Sequence, residues 1–191
     1  MKSREQQKEE RRNQILEAGL NLFIKRGYSG TKISDIATAC GMSVGLLFHY
    51  FASKQALFEQ LIKVGMYGTQ WAAEMEEAPL IYFEKVVKEL FDYMDENPFI
   101  GKFFVLMNNA MHDESIPEEA KELLQQADAQ ERSLDYIRQG QLEGSIRPGD
   151  PVALQIAFWN SVQGIVEDRA WHPEHPKVEP EWVLDMIRSK D

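Results

Sequence analysis

Four histidines and a single cysteine are the side chains in this 191-residue chain best suited to metal ligation or nucleophilic attack. His172 and His175 form a His-x-x-His pair within the string WHPEHP. Such a pair can bind a metal, but the flanking prolines mark a loop, and no cysteine or carboxylate ligand set is spaced around it. The expectation is a plain surface connection and no metal. His112 stands beside Asp113 and Glu114 without forming a catalytic constellation. Cys40 has no second cysteine to pair with and reads as a small buried hydrophobe. The glycines of QGQLEGSIRPGD lie between helices, not after a strand, so they predict a turn and no phosphate cradle. No catalytic residue and no cofactor is expected. What the chain does offer is recognition chemistry, between residues 43 and 54. Small residues at a helix start let a backbone approach a groove closely, and the aromatic and imidazole groups that follow can stack on sugars or bond to phosphates.

Two short helices position those groups. Ile33, Ile36, Ala37 and Cys40 recur at helical spacing, which predicts a first helix with Thr31 as its N-cap. Asp35 lies near its positive end. Gly41 stops it, because glycine takes the left-handed conformation without steric cost. Ser43 is a ready N-cap for a second helix over residues 44–50. Leu47 and Phe51 fall at i and i+4 and pack inward. Val44, Gly45, Leu46, Phe48, His49 and Tyr50 are then left partly outward. The competing reading puts Phe48, Tyr50 and Phe51 all in the core. Two short helices joined by a three-residue turn containing glycine is the helix-turn-helix signature.

The string TKISDIA from Thr31, then GMSVGLLFHYFASK from Gly41 to Lys54, then Leu57 and Phe58, resembles the tetracycline-repressor (TetR/AcrR) family of bacterial transcriptional regulators. The resemblance covers roughly residues 10–60. It implies base-edge and groove contacts by Gly45, Leu46, Phe48 and His49, and phosphate contacts by Thr31, Lys32, Tyr50 and Lys54, with Ser43 at the same surface. Leu46 departs from the family pattern, which often has threonine or another polar group there; leucine can instead meet a thymine methyl. The resemblance further implies an all-α protein, with an N-terminal three-helix DNA-binding domain (residues 1–54) and a helical-bundle effector-binding and dimerisation domain (residues 55–191). Its partners would be double-stranded operator DNA, a small hydrophobic effector and a second copy of the chain.

Composition agrees with this division. Residues 1–54 hold nine Lys or Arg against five Asp or Glu, net +4, and the remainder is net −14, giving −10 for the whole. Positive charge on the helix-turn-helix is what phosphate binding needs. No apolar run nears the twenty residues that span a bilayer, and the charged N-terminus has no signal-peptide core. The expected location is cytoplasmic, with no membrane partner.

The first helix is expected over residues 9–26 after a frayed start, with Ile15, Leu16, Ala18, Leu22 and Phe23 as its stripe. A fourth begins at a Ser53 N-cap, and others are expected over 66–77, 80–95, 97–111, 118–140, 151–170 and 182–187. No stretch carries a strand signal. The Met and aromatic load of the body is largely core, but methionine-rich apolar surfaces also suit varied ligands. Trp71, Phe91, Phe103, Met107, Met111 and Trp159 are the expected effector contacts. Ala153, Ile156, Ala157, Asn160, Gly164 and Glu167 form a stripe rich in small residues that suits close helix packing, and the family resemblance makes it a dimer interface. Two other readings stay open: a helix-turn-helix regulator without an effector, and an all-helical enzyme acting on a hydrophobic substrate.

Overall fold

The computed structural model describes residues 3–97, 99–125 and 129–190, and the side chains among them outside 67–74 and 129–131. Among the described residues ten helices follow in order: α1 (Arg4–Arg26), α2 (Ile33–Ala39), α3 (Val44–Phe48), α4 (Lys54–Glu74), α5 (Pro79–Glu96), α6 (Phe99–His112), α7 (Glu118–Gln125), α8 (Ala129–Glu143), α9 (Pro151–Trp171) and α10 (Pro180–Leu184). Among the described residues the extended pairing is a lone antiparallel bridge between Ile146 and Arg188. The all-α expectation holds.

Local signals explain where several helices start. α1 begins five residues earlier than the apolar pattern predicts. Ser3 accepts from Gln6 N at 3.1 Å while the Gln6 side chain accepts from Ser3 N at 2.9 Å. This capping box satisfies two end donors, and the polar first turns carry no apolar periodicity that would reveal a helix. The buried stripe of α1 is Ile15, Gly19, Leu20, Phe23 and Ile24, rotated from the predicted one. Residues 54–74 form one helix where two were expected. Gly65 and Gly68 cost about 1 kcal/mol each relative to alanine but do not break the ladder. Pro79, Pro151 and Pro180 each stand in the first turn of a helix, where the missing N–H is no loss. The expected helix over 118–140 is carried by α7 and α8, on either side of residues 126–128, which lie outside the described part, as does Pro98.

The chain forms two compact units. The first joins Met1–Met66 with Val105–Gln126, and the second joins Tyr67–Phe104 with Ala127–Asp191. The first is built on Ile15, Leu20, Ile36, Leu47, Leu57, Phe58, Leu61 and Ile62, all at most 1% exposed. Phe23, Tyr28 and Phe58 make an aromatic triad with ring centroids 4.9–6.0 Å apart. The second packs α5, α8, α9 and α10 around Tyr82, Phe83, Val87, Ile137, Phe158 and Val166. Tyr82 stacks on Tyr136 at 4.3 Å, and Phe83 meets Phe158 edge-on at 5.0 Å.

Candidate nucleic-acid interface

The turn between α2 and α3 is fixed by backbone chemistry. Gly41 has φ 62°, the left-handed region. Its N–H donates to Thr38 O at 3.0 Å and the Met42 N–H donates to Ala37 O at 3.0 Å. This pair of bonds is the Schellman closure, which satisfies carbonyls the helix end would leave unpaired. Ser43 then caps α3, its Oγ accepting from Leu46 N at 3.2 Å. The α2 start differs from expectation. Lys32 occupies the N-cap and gives no side-chain bond. Thr31 is fully buried, and its hydroxyl donates to Gly27 O at 2.8 Å and to Leu22 O at 3.2 Å. A threonine at the mouth of a helix serves here to bind the end of the preceding one.

α3 presents a mixed face. Leu47 is 0% and Phe51 4% exposed, so both anchor the helix to the core. Leu46 and Phe48 are 42% and 46% exposed, Gly45 and His49 are exposed, and Val44 and Tyr50 are half-buried. Phe48 is therefore not a core residue. A Cβ built on Gly45 would meet no atom within 4 Å. Glycine inside a helix costs about 1 kcal/mol relative to alanine, and no internal packing requires it here. The open space suits close approach of an external surface.

Lys54 and Asp113 brace the loop between α1 and α2. Lys54 Nζ donates to Tyr28 O at 2.8 Å and Thr31 O at 3.0 Å, and lies 4.0 Å from the centre of the Tyr28 ring. Partial burial draws its pKa below the ordinary amine value. Burial likewise raises the Tyr28 phenol, with Glu59 adding to the shift. Asp113 accepts from Tyr28 N at 3.3 Å through one oxygen, and from Ser115 N and Oγ at 2.9 and 2.6 Å through the other. Burial works to raise the carboxyl's pKa, but these three bonds outweigh it and bring it below the usual carboxylate value. The sequence reading missed Asp113 as a brace. Asp-x-Ser is a recognisable side-chain turn, though its reach to Tyr28 has no sequence signal. Around the rim, Arg12 donates to Gln60 and lies over the Phe51 ring, and Arg26 pairs with Asp35 at 3.0 Å. Cys40 is half-buried, not fully so, with its Sγ 3.6 Å from Gln14 O. Burial raises its thiol pKa, against the lowering effect of Arg11.

Residues 15–61 match the model of the bacterial regulatory proteins of the tetR family. That segment, a quarter of the chain, is a tetR-family DNA-binding domain. Over 53 residues it is 38% identical to the transcriptional repressor KstR2 of Mycobacterium tuberculosis, a match covering 28% of this chain and about a quarter (26%) of that protein's length. Among solved structures, two that share the fold of this chain illustrate the likeness. The regulator PfmR from Thermus thermophilus is 23% identical with a TM-score of 0.67, covering 93% of this chain and 98% of that one. AibR, solved in complex with isovaleryl coenzyme A and operator DNA, is 20% identical with a TM-score of 0.63, covering 92% and 94%.

In the body the predicted contact residues fall into separate places. Phe91 is 3% exposed in the second unit's core, under the Arg169 guanidinium at 5.1 Å. Trp159 packs against that same core. Phe103 is half-buried on α6, edge-on to Phe99. Met107 and Met111 belong to the first unit, the former buried and the latter 49% exposed. The side chain of Trp71 lies outside the described residues. Sequence reasoning missed Ser133, a fully buried serine whose Oγ accepts from Gln155 Nε2 at 2.7 Å and Trp159 Nε1 at 3.0 Å. On α9, Phe158, Val162 and Val166 face the core. Ala153, Ile156, Ala157, Asn160 and Gly164 are exposed, and Glu167 is half-buried. Among the described residues, no helix is long and apolar enough to cross a membrane.

Proposed function

We propose that this chain is a transcriptional repressor that binds double-stranded operator DNA as a homodimer and is released by a small apolar effector. The observation that carries the reading is the outward face of α3. A capped five-residue helix exposes Leu46 and Phe48 beside an open Gly45, in the one basic segment of an acidic chain. Exposed large apolar groups beside positive charge fit a DNA groove better than bulk water. Gly45, Leu46, Phe48 and His49 face base edges, and Lys32, Ser43 and Tyr50 face phosphates. Thr31 acts by positioning, since its hydroxyl and amide are both engaged internally. Lys54 retains one ammonium donor for a phosphate beyond the two it gives to carbonyls. Residues 1–54 carry these contacts, and residues 55–191 carry effector and subunit contacts.

Two further observations support the assembly and its control. α9 has its apolar residues on more than one side, and the side with Val152 and Ile156 at 43% and 54% exposure has no cover among the described residues. Exposed large apolar groups clustered on one side mark a contact surface. A Cβ on Gly164 would meet nothing within 4 Å, leaving room for a second helix to approach. A two-fold interface satisfies both. For control, Phe91, Phe103 and Trp159 of the second unit supply apolar contact for the effector. A ligand alters operator affinity only through unequal affinity for the two states of the protein.

Selection of oligonucleotides by the full-length chain should return an inverted repeat with half-sites about ten base pairs, or a multiple, apart. A selected pool without such a motif would overturn the reading. Effector coupling of roughly 1–3 kcal/mol would change operator affinity by about 5- to 150-fold, and operator would weaken the effector equally. Equal effector dissociation constants with and without operator would leave a regulator without an effector.

A further inference from the structure

We propose that the C-terminal end of α9 and the loop after it form a binding site for a borderline divalent cation of the zinc, nickel or copper class. The sequence offered only a His-x-x-His pair between prolines. The structure sets the Glu174 and Asp168 carboxylates beside it. His172, Glu174 and His175 each present one ligand atom, and the three atoms lie within 4.8 Å of one another. The imidazoles are stacked, with centroids 4.6 Å apart and planes at 17°. His172 Nδ1 is 3.6 Å from Glu174 Oε1, too long for a good hydrogen bond. A bound cation would draw the three donors inward, to the roughly 3.3 Å separations that metal–ligand bonds of about 2.0–2.1 Å impose.

Asp168 raises this above a chance cluster. Both of its carboxylate oxygens lie 3.0 Å from His175 Nδ1. An ionised carboxylate there accepts a proton held on Nδ1, which leaves Nε2 as the metal-binding nitrogen and makes the ring a better ligand. A carboxylate behind a histidine is the usual outer support of a metal-binding imidazole. The backbone is set as well. His172 N donates to Asp168 O at 2.7 Å and His175 N donates to His172 O at 2.9 Å, so the loop closes one turn directly after the helix. Pro173 and Pro176 restrict the residues around the histidines. His172 is the C-cap of α9, where the helix dipole and unpaired carbonyls favour positive charge. Two nitrogens and one oxygen select a borderline metal over magnesium or calcium, which prefer all-oxygen sets. The cluster is exposed, so a cation can enter directly, with water completing the coordination.

The site rests on unit-two residues alone and does not depend on the DNA reading. The test is calorimetric titration of the metal-stripped full chain with zinc sulfate, and separately with magnesium. The expected result is one zinc per chain, no comparable magnesium binding, and loss of the zinc signal in the His172→Ala/His175→Ala variant with its helical circular dichroism unchanged. His112→Ala should bind like the parent. Asp168→Asn should bind zinc about 10- to 100-fold more weakly, and should alter the visible ligand-field bands of the cobalt(II) form, which a purely structural role would leave alone. No zinc binding up to about millimolar concentration, or binding that survives in the double histidine variant, would overturn the proposal.

Discussion

Replacing Lys54 with methionine separates two roles that one lysine combines. Methionine keeps most of the apolar stem and removes the ammonium. In the folded chain that ammonium makes two bonds to the Tyr28 and Thr31 carbonyls and stands 4.0 Å from the Tyr28 ring centre. Hydrogen bonds from a charged donor contribute about 1.5–3 kcal/mol when buried, and a cation over an aromatic ring about 0.5–1 kcal/mol when exposed. Lys54 is only half-buried, so solvent screens these interactions and the amine was already partly desolvated. A net loss of about 1–2 kcal/mol is expected. Urea unfolding should show it as a lower midpoint at unchanged slope. Operator binding should weaken on every sequence alike, and the salt slope should fall by about one if the remaining donor meets a phosphate. An unchanged urea midpoint would refute the bracing role outright. A weakened operator complex with an unchanged salt slope would place Lys54 behind the interface only.

Substituting Gly164 with lysine should block close approach at the exposed side of α9 and yield a monomer by light scattering, with most operator affinity lost; a persistent dimer would exclude this stripe as the interface. Phe48→Ala should leave folding stability within about 0.5 kcal/mol, as for surface positions, while lowering operator affinity; unchanged affinity in a gel-shift titration would remove Phe48 from the interface. Asp113→Ala should destabilise the first unit by about 1–2 kcal/mol at neutral pH through its three lost hydrogen bonds. The folded carboxyl titrates below its unfolded value, so its contribution is complete above the ordinary carboxylate pKa and is lost as pH falls below it. Urea midpoints of parent and variant should therefore converge in acid, and a constant difference down to about pH 2 would count against the assignment.

Sequence alone determined the helix-turn-helix. Ile36, Ala37, Gly41, Ser43, Leu47 and Phe51 act through local rules of periodicity, left-handed closure and capping, and each is where those rules put it. The same locality misled at the edges. Thr31 sits one residue before the N-cap Lys32, where the Gly27 and Leu22 carbonyls lie within reach, and a buried hydroxyl bonds to the nearest acceptor. The first turns of α1 were illegible because they face solvent, and an apolar pattern exists only where a helix has a core to face.

Tertiary structure decided whatever depends on residues far apart in the chain. Val105–Gln126 joins the first 66 residues in one compact unit, and through it Asp113 reaches Tyr28, 85 positions away. No local pattern encodes such a pairing, since it follows from the summed packing of whole helices. Ser133, a lone serine in sequence, becomes a buried acceptor because Gln155 and Trp159 arrive from α9. His175 reads as a plain loop residue until the last turn of α9 brings the Asp168 carboxylate to its ring. Local chemistry sets which groups a segment offers, and the path of the chain in space sets which of them meet.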